Sequence, residues 1–191
     1  IHDKDFYLLT ETCCQIDLQK LFKGGFSTGH GFLRDPQSIE SYAALACIAL
    51  QANQNEMHGG QAIPNFDNVM ADGVHKTTKK HIKDIVEEAK IFLEDDLDEK
   101  EIQRILEFDY EDLVEELSKE NLDKNIRNIL ELANKKITSS TYQGMQSLIH
   151  NLNTMNSRAG AQVPFTSINY GTGKTHGARL VIRELLKATE D

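Results

Sequence analysis

The sequence predicts an α/β chain that is mostly α-helical, with two or three short strands, on three observations. Apolar residues recur at helical spacing through most of the chain, as in Ile82, Ile85, Val86, Ala89, Phe92 and Leu93. Two short runs, residues 5–12 and the residues just before Gly171, favour β-structure but are too brief for a stable helix. The third is size: 191 residues, 39% apolar and 27% charged, suit one core-bearing domain.

Each element follows from its local chemistry. Residues 5–12, Asp-Phe-Tyr-Leu-Leu-Thr-Glu-Thr, read as a buried strand that delivers Cys13 and Cys14 at its end. Lys23 to Gly31 contains Gly24, Gly25, Gly29 and Gly31 and reads as a loop. Asp35-Pro36 supplies an N-cap and a first-turn proline, and Ile39, Tyr42, Ala43, Ala46, Cys47 and Leu50 carry a helix to about Asn55. His58 to Phe66, broken by Gly59, Gly60 and Pro64, reads as a second loop. From Lys76 the pattern is helical, with short polar breaks before the Ile102, Leu113 and Ile126 stripes. A further helix is expected from Thr141 to about Asn153, then a small, polar segment and a brief strand, then a helix from about Gly177 to Ala188.

Charge and composition exclude several classes. The net charge of −9 disfavours a surface that neutralises many phosphates, so no nucleic-acid partner is expected. The acidity is regional: residues 84–131 hold 18 acidic and 6 basic side chains, without a calcium-loop spacing, and read as solvated helix faces. No apolar run approaches the roughly 18 residues of a membrane span, and no signal peptide is evident. A soluble cytoplasmic chain without membrane association is expected. Opening at Ile1 and running at once into Phe6-Tyr7-Leu8-Leu9, the chain reads as a segment cut from a longer protein.

Three cysteines, two of them adjacent, form neither a disulfide framework nor a zinc pattern, and no metal site is expected. His75 and His81 lie six apart, off the face that a helical metal pair uses. Gly171-Thr172-Gly173-Lys174-Thr175 has the flavour of a phosphate loop, but Ile168 stands where that motif requires its first glycine. A thiol at a strand end suits radical or redox chemistry, and alternation lets only one of Cys13 and Cys14 face a given cavity. The plain alternative is a buried small apolar residue. Arg158, among small residues, offers a guanidinium for a phosphate or carboxylate, or for an ordinary salt bridge.

Five blocks together carry a resemblance: Ile1-His2-Asp3, Cys13-Cys14-Gln15-Ile16-Asp17, Gly29-His30-Gly31, His58 to Asp67, and Asn156 to Phe165. Over nearly the whole chain they resemble the anaerobic (class III) ribonucleoside-triphosphate reductases, which are glycyl-radical enzymes. The resemblance implies a fragment of a ten-stranded α/β barrel: residues 1–34 hold the first barrel strand and a glycine-rich loop, 35–153 a helical dimer and effector region, and 154–191 the second strand and its following helix. It implies conversion of ribonucleoside triphosphates to deoxyribonucleoside triphosphates by radical chemistry, with formate as reductant, a structural zinc, ATP and dNTP effectors, a radical-SAM activating enzyme and a homodimer. The strand cysteine that acts on the ribose falls on Cys14, with Cys13 second, and His2 lies in a block near the catalytic site. Ser157, Arg158, Gln162 and Ser167 are implied to line the substrate region, and Asp35, Gln51, Lys79 and Lys80 to contact the effector. The thiyl-radical cysteine, glycyl-radical motif, zinc site and ATP-cone are not among these residues, so the segment alone is expected to be inactive. The alternative is a non-catalytic nucleotide-binding dimerisation module. A glycyl-radical lyase on the same barrel is disfavoured by the Gly59-Gly60-Gln61 and Ala161-Gln162-Val163-Pro164 blocks.

Overall fold

The computed structural model describes residues 13–28, 31–56, 59–92, 98–155, 163 and 165–190. His2, Ser157, Arg158 and Gln162, and the strand expected over residues 5–12, lie outside them. Three short parallel strands form one sheet in the order β1 (Cys14–Gln15), β4 (Gln61–Ile63), β5 (Thr166–Ile168). A two-stranded antiparallel ribbon, β2 (Phe26–Ser27) with β3 (Phe32–Leu33), stands apart. After the short α1 (Leu18–Phe22) come α2 (Ile39–Glu56), α3 (Phe66–Phe92), α4 (Glu99–Leu106), α5 (Tyr110–Leu117), α6 (Lys124–Thr154) and α7 (His176–Glu190). Helix α6 packs against α2, α3 and α7, and Leu130, Ala133, Ile137, Met145 and Leu148 make its side of the core.

Local sequence sets several boundaries differently from expectation. Helix α2 starts at Ile39 rather than at Asp35-Pro36, because Lys76 Nζ binds Asp35 Oδ2 at 3.2 Å and the Pro36 carbonyl at 2.7 Å. That holds the approach extended, and Ser41 Oγ accepts the Ser38 N–H in the first turn. The segment read as a loop from His58 to Phe66 contains the central strand β4, three residues between Gly59-Gly60 and Pro64 that are too few to show a period. Helix α3 begins at Phe66, ten residues before the expected Lys76, directly after Asn65, whose φ of 52° turns the chain. Two expected helices merge into the single α6, 31 residues long. The ribbon β2–β3 lies within and just beyond the glycine-rich loop.

Several of the regional acidic residues cap helices. Asp98 accepts the Lys100 N–H, Asp109 and Asp112 form a reciprocal capping box on α5, and Asp123 accepts the Asn125 and Ile126 N–H groups. Buried Glu116 accepts both Arg104 Nη1 and Nη2, at 2.8 and 2.9 Å, and Lys119 Nζ at 2.8 Å. Among the described residues, no helix is long and apolar enough to cross a membrane.

Candidate active site

The pleat of the sheet sorts the candidate residues, since successive strand side chains point to opposite faces. Register neighbours Cys14, Gln61 and Thr166 share one face, and Gln15, Ala62 and Ser167 share the other. The first face is covered by helices: Gln61 and Ile63 are buried and Thr166 Oγ1 is enclosed. On the second face Gln15, Ser167 and Phe165 are exposed, Phe165 to 80%. Cys13 belongs by parity to this open face and is itself exposed. The pleat turns Cys14, ranked first in sequence, toward α2, and Cys13 away from it. Ser167 therefore shares a face with Cys13, and its hydroxyl donates to Asn169 Oδ1 at 3.4 Å.

Behind the sheet runs a chain of amides that the sequence reading missed. Asn53 Nδ2, in the last turn of α2, donates to Cys14 Sγ at 3.1 Å and to Gln61 Oε1 at 2.7 Å. Gln61 Nε2 donates to Gln54 Oε1 at 3.5 Å, and Gln54 Nε2 donates to the Val163 carbonyl at 3.3 Å. The only available signal was the run of amides, Gln51, Asn53, Gln54 and Asn55, that ends an otherwise apolar helix. The third cysteine, Cys47, is buried in the core, where burial pushes its thiol up to about 11.

At the opposite end of the strands, the Gly171-Thr172-Gly173 loop closes on the chain itself. Asp67 Oδ2, in the first turn of α3, accepts the N–H groups of Gly171 and Gly173 at 2.9 and 2.8 Å. The concavity that resembles a phosphate nest is therefore filled by an internal carboxylate. Glu111 of α5 likewise accepts the His176 and Gly177 N–H groups at 2.7 and 2.8 Å, so the N-terminus of α7 is also capped from within. Lys174 stays exposed.

Of the effector candidates, Asp35 and Lys80 come together. They line a cavity of about 360 Å³ with Arg34, Ser38, Ser41 and Leu45, at the start of α2. Lys79 is exposed and Gln51 half-buried, and neither lines it. Among the described residues no group of His, Cys, Asp or Glu is arranged to hold a metal ion. A four-cysteine zinc site does not fit a chain whose three cysteines are Cys13, Cys14 and the distant, buried Cys47.

The profile of the anaerobic ribonucleoside-triphosphate reductases matches residues 1–191. The reductase of that name from Enterobacteria phage T4 is 25% identical over 189 residues, 98% of this chain and 25% of the relative. Those of Escherichia coli K12 and Haemophilus influenzae are 23% and 22% identical over 188 residues, 97% of this chain and 21% of each relative. The chain spans about a quarter or less of the length of these relatives. Mostly helical, with short parallel strands and a thiol on their open face, it belongs to the anaerobic ribonucleoside-triphosphate reductase family.

Proposed function

We propose that this chain is the part of an anaerobic ribonucleotide reductase that supplies the strand-borne cysteine and the effector helices. The full protein would convert ribonucleoside triphosphates to deoxyribonucleoside triphosphates by radical chemistry. The observation that carries this reading is the open face of the sheet. All-parallel sheets are covered on both faces, whereas among the described residues helices cover only one and Gln15, Phe165 and Ser167 on the other are exposed. In a barrel the helices stand outside and the other face turns inward, which would put Cys13 and Ser167 in the lumen and leave Cys14 in the wall. Cys13 is then the thiol that acts on the ribose, and Ser167, two strands across on the same face, would hold a hydroxyl. Ser157, Arg158, Gln162 and His2 remain candidates for the same site, on the family resemblance alone. The glycyl and thiyl radicals, the zinc, the formate reductant and the radical-SAM activating enzyme belong to the parent reaction and would engage residues beyond these.

The cavity at the start of α2 supports deoxynucleotide recognition in the same protein. Arg34 and Lys80 offer cations for phosphates, and Leu45 offers an apolar wall for a base. Lys76 is committed to Asp35, and Lys83 lies 3.9 Å from Glu87. Lys80 is thus the lysine that α3 contributes to the cavity. The dimer would form through the helical region, in line with the family.

The test is anoxic conversion of ribonucleoside triphosphates by the full-length protein after radical activation. Deoxynucleotide product that responds to added dNTPs is the expected result. Binding of dNTPs, read as a rise in melting temperature, without any turnover would favour a nucleotide-binding dimerisation module instead. Replacing Lys80 by Ala should weaken the dNTP-induced shift without abolishing turnover.

A further inference from the structure

We infer that Asn53 is a positioning residue for the reaction, selecting which of two adjacent cysteines faces the sheet's open side; this rests on the reading that the open face is the catalytic one. Adjacent cysteines pose a register problem. A slip of one residue turns every side chain of a strand to the other face, and for Cys13-Cys14 either register still presents a sulfur to each side. β1 pairs with only one neighbour among the described strands, through Cys14↔Gln61 and Gln15↔Ala62, so the ladder holds it on one side only. Something beyond the backbone must tell the two thiols apart.

The amide chain does so with fixed polarity. The Val163 carbonyl can only accept, so Gln54 turns its Nε2 to it and its Oε1 to Gln61. Gln61 therefore presents Oε1 to Asn53, which donates Nδ2 to it and to Cys14 Sγ. The sulfur of Cys14 is consequently an acceptor, held against α2, half-buried, with an amide that itself cannot slide. Gln61 is 2% exposed and Gln54 6% exposed, so the chain's anchor is dry. Locking Cys14 to the wall leaves Cys13 on the open face, where it is exposed. Asn53 acts on the reaction through Cys14, whose sulfur it holds on the helix side.

The experiment uses the full-length, activated reductase with four single variants, N53A, C14A, C14S and C13S, and two readouts. Iodoacetamide alkylation resolved by peptide mass spectrometry gives the ratio of Cys14 to Cys13 labelling in all proteins that keep both thiols, with buried Cys47 as the unreactive control. Steady-state kinetics gives kcat and KM. In N53A the Cys14:Cys13 ratio should rise several-fold and kcat should fall about tenfold or more, as for a misplaced reacting group, with KM changed less than about twofold. C14A removes the acceptor without touching the amides and should lower kcat similarly, while C14S restores an acceptor and should keep most of it. The N53A/C14A double variant should be no worse than either single one. The inference is overturned if N53A leaves both the ratio and kcat at wild-type values, or if C14S loses turnover as fully as C14A. Should C13S keep wild-type turnover, the catalytic reading of the open face fails, whatever Asn53 does.

Discussion

Replacing Asp67 by Ala tests whether the loop after β5 is held by an internal carboxylate. Asp67 is fully buried, and its Oδ2 takes two backbone N–H groups at 2.9 and 2.8 Å while Oδ1 has no hydrogen-bond partner among the described residues. A buried donor left without its acceptor costs about 1–3 kcal/mol, with bonds to charged acceptors toward the upper end. Gly171 is exposed and water can take over its N–H, whereas Gly173 is half-buried. Loss of one bond in full and one in part, together with the carboxylate's favourable place at the α3 N-terminus, amounts to about 2–4 kcal/mol. For a chain of this length that is a fall in melting temperature of about 5–12 °C. D67N sharpens the test. The amide keeps one acceptor but brings N–H groups to the buried position where Oδ1 has no partner, so it should cost at least about 1 kcal/mol despite its matching shape. Urea and thermal unfolding followed by circular dichroism measure both. A D67A protein within about 0.5 kcal/mol of wild type, or a D67N protein as stable as wild type, would refute the reasoning.

Other expectations follow from the same packing. Arg104, and then Lys119, hold the Glu116 carboxyl down from 4.5 to about 2. A depressed carboxylate contributes stability that is complete above its unfolded value and lost as pH falls, here between about pH 5 and pH 2. Arg104 is 40% exposed, so the loss should be only about 1–2 kcal/mol, and E116Q should flatten that part of the acid-unfolding curve. An unchanged acid limb in E116Q would contradict the ion pair's role. Two helix glycines should respond oppositely to Ala. At Gly73 a Cβ would lie 3.0 Å from the Tyr42 ring and 3.1 Å from Ile39 Cα, so G73A should destabilise by about 1–2 kcal/mol even after its gain in helix propensity. At Gly144 the nearest atom would be 3.6 Å away, and G144A should be neutral or stabilising by up to about 1 kcal/mol in chemical denaturation.

The helical region was legible because its signals are long. Stripes such as Ile126, Ile129, Leu130 and Ala133 repeat over many turns and are all buried. The brief strand before Gly171 was legible, as Thr166-Ser167-Ile168 after a small, polar segment, whereas the run over residues 5–12 lies outside the described residues and β1 begins only at Cys14. β4 left no trace, because Gln61-Ala62-Ile63 is too short for alternation to register and glycines beside it argue for a loop. The start of α3 was hidden for a related reason, since Asp67, Asn68, Asp72 and Gly73 are poor helix formers; tertiary bonds place Asp67 and Asn68, and close packing places Gly73. The sequence offered the candidate site residues in blocks and could not show which of them share a face. That Cys13, rather than Cys14, shares a side with Ser167 depends on the pairing Gln15↔Ala62↔Ser167, which only the folded sheet supplies. The acidity from Asp84 to Glu131 reads in sequence as solvated surface, and its helix-capping and clamping roles appear only once Asp109, Glu111 and Glu116 meet their donors.

The most direct test of the open-face reading is the turnover of the full-length, radical-activated protein carrying C13S, set beside C14S. Serine preserves size and hydrogen bonding at both positions but offers no readily abstracted hydrogen, so only the cysteine facing the ribose should be intolerant of it. C13S should fall to background deoxynucleotide formation while C14S keeps most of the wild-type rate. A dead C14S beside an active C13S would mean that the helix-covered face, not the open one, meets the substrate.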